Sequence, residues 1–158
     1  GTVGWYLSNE GGAHYWRCEM VFWAPASNIL ACNYSPPHAP HTTWETSVFY
    51  ELRDDKWVLL PSPVDDSARD TFAQLAKHLP KGVRKPSLWN ADPPRLVFKV
   101  HNWTDANTAI LYVYAASDES RSSKSAFLFT LKFEAEGKWK IVKSQQLSAK
   151  EIEKEAAE

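Results

Sequence analysis

Two cysteines, five histidines, two Asn-x-Ser/Thr sequons and eight tryptophans are the residues of this 158-residue chain whose types could do chemistry. Cys18 and Cys32 flank a stretch that reads as a hairpin. If it closes with Cys18 opposite Cys32, then Trp16 faces Tyr34 and Met20 faces Leu30, all on the core side. Directly opposed residues bring their Cβ atoms to about 4.5–5.5 Å, so the two sulfurs are expected to be neighbours. A disulfide prefers a slightly closer approach. A buried, reduced pair is expected over a bridge, as suits an intracellular protein. There is no C-x-x-C and no adjacent helix start to lower a thiol pKa, so a redox-active pair is not expected.

The histidines offer less. His38 and His41 share a Pro-rich loop that supplies no further Cys, Asp or Glu between Pro36 and Thr43, short of the three or four ligands that zinc takes. His101 falls on a strand, where Val97, Lys99, His101 and Trp103 alternate onto its less apolar face. With His14 and Glu19 from the other half it could line a shared site. His78 sits on the polar side of a helix. The carboxylate pairs Asp54-Asp55 and Asp65-Asp66 stand where turns and helix caps use them. No G-x-S-x-G and no Gly-rich phosphate loop occurs. No catalytic residue, metal or cofactor is expected. The sequons Asn33-Tyr34-Ser35 and Asn102-Trp103-Thr104 are close to chance for six asparagines and argue only weakly for secretion.

These residues must be positioned by strands. Alternation runs from His14 to Trp23, with Trp16, Cys18, Met20 and Phe22 on one face. A turn at 23–27 leads to a returning strand at 28–34. The Pro-rich segment 35–41 cannot join a ladder. Strands at 44–52 and 56–60 flank the turn at Asp54-Asp55. A helix follows, with the stripe Ala68, Phe72, Leu75, Ala76 and Leu79, and is stopped by Pro80 and Gly82. After a Pro-rich connector over 81–94 the order restarts. Strands are expected at 95–103, 109–115, 126–133 and 139–142, with Gly137 at the last hairpin. Ser148 and Glu151 then form a capping box for a final helix.

The halves also match residue by residue, Lys56-Trp57 against Lys138-Trp139 and Ile29-Leu30 against Ile110-Leu111, at offsets of 81 to 82. The expectation is an α+β fold of mainly antiparallel sheet, built as one compact domain over 1–158. Two tandem ββββα units occupy 13–80 and 95–158. This element order resembles the duplicated ββββα units of single-strand nucleic-acid binders of the Whirly and Pur type. The likeness is of element order alone, no motif of those families is present, and no residue role is carried over.

Charge is nearly balanced overall at −1, which gives no general pull towards nucleic acid or anionic membrane. Its distribution is uneven, because residues 1–80 hold five Lys/Arg against nine Asp/Glu and residues 81–145 hold eleven against six. No apolar run reaches the roughly 18–20 residues of a membrane span. The compartment is left open, with an intracellular one favoured over secretion. The aromatic surplus points first to a non-catalytic binding module acting on a protein partner or on a second copy, as a homodimer. A single-strand nucleic-acid binder using aromatics and the basic second half comes second. An enzyme or small-ligand pocket holding His14, His101 or Glu19 comes third. The candidate binding residues are Trp44, Trp89, Trp103, Arg84, Lys85 and His101, with Trp89 as the best exposed anchor.

Overall fold

The computed structural model describes residues 6–7, 16–35, 46–62, 74–79, 95–116 and 124–155. The chain forms two antiparallel sheets in sequence order. The first joins β1 (Tyr6–Leu7), β2 (Trp16–Trp23), β3 (Ile29–Ser35), β4 (Thr46–Arg53) and β5 (Lys56–Leu59). The second joins β6 (Arg95–Asp105), β7 (Thr108–Ala116), β8 (Lys124–Phe133) and β9 (Trp139–Gln146). A helical turn at 74–76 follows the first sheet, and helix α1 (Ala149–Glu155) follows the second. The α+β class and the two four-strand sets β2–β5 and β6–β9 are therefore as expected. The two-residue β1, paired to β2 through Tyr6–Arg17 and Leu7–Trp16, is an addition. The connector 81–94 and most of the first helix lie outside the described residues.

Local chemistry explains the turns. Ala24 donates to the Ile29 carbonyl at 3.0 Å, and the Ser27 hydroxyl accepts from the Ile29 amide at 3.1 Å, which closes the β2–β3 connection. Asn28 ties this corner to the next hairpin by donating its side-chain amide to the Leu52 carbonyl at 2.6 Å. Asp54 and Asp55 both take positive φ between β4 and β5, a conformation their short polar side chains tolerate. Gly137 takes φ +73° in the 3-10 turn (Ala135–Gly137) between β8 and β9.

The expected Cys18–Cys32 register is not the one formed. Cys18 pairs with Tyr34, Val21 with Cys32 and Trp23 with Leu30, with a bulge between Cys18 and Met20. Beyond the bulge, each β3 partner lies three residues further along β2 than expected. An odd slip exchanges the two faces of a strand. Ala31 and Asn33, rather than Leu30 and Cys32, consequently point at the core. The cysteines are not two free thiols either: Cys32 is disulfide-bonded, in a chain with two cysteines.

The row Phe22–Ala31–Phe49–Leu60 forms the inner face of the first sheet, with Leu60 donating to the Phe49 carbonyl at 2.8 Å. Phe98, Val100, Trp103, Leu111, Val113, Phe127, Phe129, Leu131 and Phe133 supply the inner face of the second, and both faces share one buried cluster. Trp103 belongs to this face because β6 bulges between Val100 and Asn102. The extra residue shifts the alternation, so His101 and Trp103 do not continue the face of Val97 and Lys99.

The two sheets are also joined by polar bonds. β6 is an edge strand, and its outward Phe98 and Val100 backbone groups would be unpaired. Asn33 and Ser47, a cross-strand pair on the inner face of the first sheet, cap them. The Asn33 side chain donates to the Val100 carbonyl and accepts from its amide, each at 2.9 Å. The Ser47 hydroxyl lies 3.1 Å from the Phe98 carbonyl and 3.0 Å from the Val100 amide.

Candidate interaction face

The register that sends Ala31 and Asn33 inwards sends a continuous apolar set outwards. Paired residues share a face, so Trp23, Leu30, Tyr50 and Leu59 form one transverse row of the outer surface. Val21, Cys32 and Val48 form the neighbouring row, and Leu52 with Trp57 the row on the other side. None of these nine residues is charged. Among the six large apolar residues that are exposed within the described chain, four stand here: Val21, Trp23, Trp57 and Leu59. Trp23 is 56% exposed, Leu59 60% and Trp57 41%. The two indoles meet edge to face with ring centres 5.4 Å apart. That contact holds them as a pair above the sheet, a geometry worth about 0.5–1.5 kcal/mol beyond burial. Leu30, Tyr50 and Leu52 are half-buried. Burial also pushes the Tyr50 phenol above its ordinary pKa, so it is a neutral hydroxyl at neutral pH.

The second sheet treats its outer face differently. Helix α1 covers one end of it, packing Ile152 into a cluster with Val97, Tyr112, Ala126 and Leu147. The helix starts at the expected capping box. Ser148 donates its amide to the Glu151 carboxylate at 2.6 Å, and its hydroxyl lies 3.4 Å from the Glu151 amide. The rest of the face is polar and basic, with Lys132 opposite Lys140 and Lys143 in the row of Asn102, Ile110 and Thr130. Glu134 pairs with Lys140, whose hydrogen bond and charge hold its carboxyl below the usual range. Asp105 is held low first by the Asn107 amide, with the nearby Lys132 adding to it.

The helical turn after the first sheet does not repeat the covering role of α1. Leu75 enters the central buried cluster, and the His78 carbonyl accepts the Ser144 hydroxyl of β9. Among the described residues, α1 packs on the outer face of the second sheet, whereas Leu75 of the 74–76 turn packs into the cluster between the sheets.

The sequence-selected residues fare unevenly. Trp44, Trp89, Arg84 and Lys85 lie outside the described residues, as do His14, His38 and His41. Trp103 is no surface anchor: it is buried against Phe49 and Phe133, and its indole N–H donates to the Phe22 carbonyl at 3.0 Å. His101 sits half-exposed at the β6 bulge with Nδ1 3.4 Å from the Glu155 carboxylate, which fastens the end of α1. It is therefore separated from Trp103 rather than joined with it in one site. Trp23 and Trp57 are not among the binding residues expected from the sequence, which places Trp23 at the start of a turn and matches Trp57 with Trp139. The available signal was the apolar run Trp57-Val58-Leu59-Leu60 at a short strand, too many apolar residues for one buried face.

No family model, curated protein or solved structure matches this chain. Among the described residues, no helix is long and apolar enough to cross a membrane.

Proposed function

We propose that the chain is a non-catalytic binding module that engages a protein partner through the outer face of its first sheet. Trp23 and Trp57 serve as the anchors, and Leu30, Tyr50 and Leu59 as the floor. The observation that carries this reading is the concentration of exposed Val21, Trp23, Trp57 and Leu59 on one face of the first sheet, within three rows of uncharged residues. Large exposed apolar patches mark interaction surfaces, and tryptophan and tyrosine dominate the energetics of protein interfaces. The chemistry of the face favours a protein over the other ligands considered. Phosphate recognition needs Lys or Arg beside the aromatics, and none of the nine residues of these rows is basic. Lys56 and Arg53 stand at the β4–β5 end beyond Trp57, and Lys132, Lys140 and Lys143 lie on the outer face of the other sheet. Tyr50 offers a single hydroxyl within the Trp23 row, few polar groups for a sugar or a small metabolite.

The test compares three purified proteins: the wild type, the Trp23→Ser/Trp57→Ser double variant, and a Lys99→Glu/Lys143→Glu control on the other sheet. Sedimentation over a concentration series reads self-association, and affinity capture followed by rebinding of the purified partner reads a second protein. Association shown by the wild type and the control but lost by at least tenfold in the double variant supports the reading. Equal association in all three overturns it. Binding of an oligothymidylate probe that falls steeply with salt and is lost only in the lysine variant would favour the nucleic-acid alternative.

A further inference from the structure

The two sequons occupy opposite environments, and the difference is chemical. Asn33 is 7% exposed between the sheets, with its amide nitrogen donating to the Val100 carbonyl and its oxygen accepting from the Val100 amide and the Ser47 hydroxyl. A sugar on that nitrogen would have to occupy the space filled by β6, and the Val100 groups would lose their partner. Asn102 is exposed on β6, on the outer face of the second sheet, in the row with Ile110, Thr130 and Lys143. Two bulges, between Val100 and Asn102 and between Trp103 and Asp105, bracket its sequon on an edge strand. Thr104, the hydroxyl residue of the sequon, is also exposed, and its hydroxyl donates to the Thr108 carbonyl at 3.3 Å.

A second observation bears on where the chain matures. Cys32 is disulfide-bonded and buried, and such bridges form and persist in oxidising compartments. N-linked glycans are added in the same setting, at Asn-x-Ser/Thr.

We infer that Asn102 is an N-glycosylation site of this protein and that Asn33, despite its sequon, is a structural residue that carries no glycan. In the modification, the Asn102 amide nitrogen forms a bond to the anomeric carbon of a polyprenyl-diphosphate-linked oligosaccharide. The anomeric carbon–oxygen bond breaks, polyprenyl diphosphate leaves, and the nitrogen gives up one proton. The glycan would stand over Ile110 and Thr130, on a face other than that of Trp23 and Trp57, so the inference is independent of the proposed binding role.

The experiment is secretion of the whole chain from a eukaryotic host behind a cleavable leader, read by intact mass and glycopeptide sequencing. One glycan is expected, located on Asn102 and lost in both Asn102→Gln and Thr104→Ala, while Ser35→Ala leaves it unchanged. Asn102→Gln should be secreted at the wild-type level with Cys32 still resistant to alkylation before reduction, because Asn102 is exposed. Folded wild-type protein without a glycan on Asn102 would overturn the inference. So would a glycan on Asn33 in folded protein, or a Cys32 that alkylates freely without reductant.

Discussion

The side-chain amide of Asn33 pairs with both backbone groups of Val100, donating to the carbonyl and accepting from the amide at 2.9 Å each. A backbone-like ladder step is thereby made by a side chain, across two sheets that share no strand pairing. Buried backbone groups must be paired, and each one left without a partner costs about 1–3 kcal/mol. Asn33→Leu should consequently destabilise the fold by about 2–4 kcal/mol in urea unfolding, although it adds apolar surface to the core. Asn33→Asp should be at least as damaging, because its carboxylate faces the Val100 carbonyl with no donor. Equal stability of Asn33→Leu and wild type would show that the pairing is not needed.

Trp103 fills the junction of the two sheets between Phe49 and Phe133 and donates to the Phe22 carbonyl. Trp103→Phe keeps most of the ring contacts but removes that hydrogen bond, for an expected loss of about 1–2 kcal/mol. Trp103→Ala should cost about 3–5 kcal/mol through the cavity it leaves. Trp23→Ser and Trp57→Ser should each change stability by about 1 kcal/mol or less, since both rings are exposed. Chemical denaturation of the four variants checks the contrast. A Trp23→Ser loss as large as that of Trp103→Ala would mean that Trp23 is a core residue.

Strand positions, the hairpin turns and the Ser148–Glu151 cap were legible in the sequence, because each rests on local chemistry: alternation, positive-φ residues and a side chain that reaches three positions. Faces were less legible. The β2–β3 register depends on a bulge near Glu19 and on a connection that closes through Ala24 and Ile29, neither of which has a sequence signature. That slip put Leu30 and Cys32 on the wrong side, concealed the role of Asn33 and made the outer face unreadable. The bulge at His101 did the same for Trp103. Where α1 packs was not readable either, since the Ser148–Glu151 box marks the start of a helix and not the surface that receives it.

Gly137 couples the β8–β9 turn to the end of the first sheet. Its φ is +73°, and a Cβ added there would stand 2.6 Å from Leu60 Cδ2. Gly137→Ala therefore meets two obstacles, a backbone conformation unfavourable to L side chains and a clash with a buried neighbour. A loss of about 1–3 kcal/mol is expected. Adding Leu60→Ala to Gly137→Ala should relieve the clash but not the strain, so a double-mutant cycle should give a favourable coupling. Strict additivity of the two losses would show that Leu60 does not oppose the added methyl group.

The capping box of α1 gives the fold a defined pH response. Hydrogen bonds from Ser148 lower the Glu151 pKa below its ordinary value. A carboxyl with a folded pKa below its unfolded one stabilises the fold above the unfolded value, about 4.3 for glutamate, and loses that contribution as the pH falls through the folded value. Asp105 and Glu134 are shifted in the same direction, so all three weaken the fold on acidification. Ser148→Ala removes the cap and should cost about 1 kcal/mol at pH 7. It should also flatten the acid limb of the stability curve in part, because Glu151 loses the Ser148 hydroxyl and keeps the bond from the residue 148 amide. Since α1 covers Val97, Tyr112 and Ala126 through Ile152, the same variant should speed hydrogen exchange along this end of β6 and β7. A Ser148→Ala protein with an unchanged acid limb and unchanged exchange there would show that the cap does not hold the helix on the sheet.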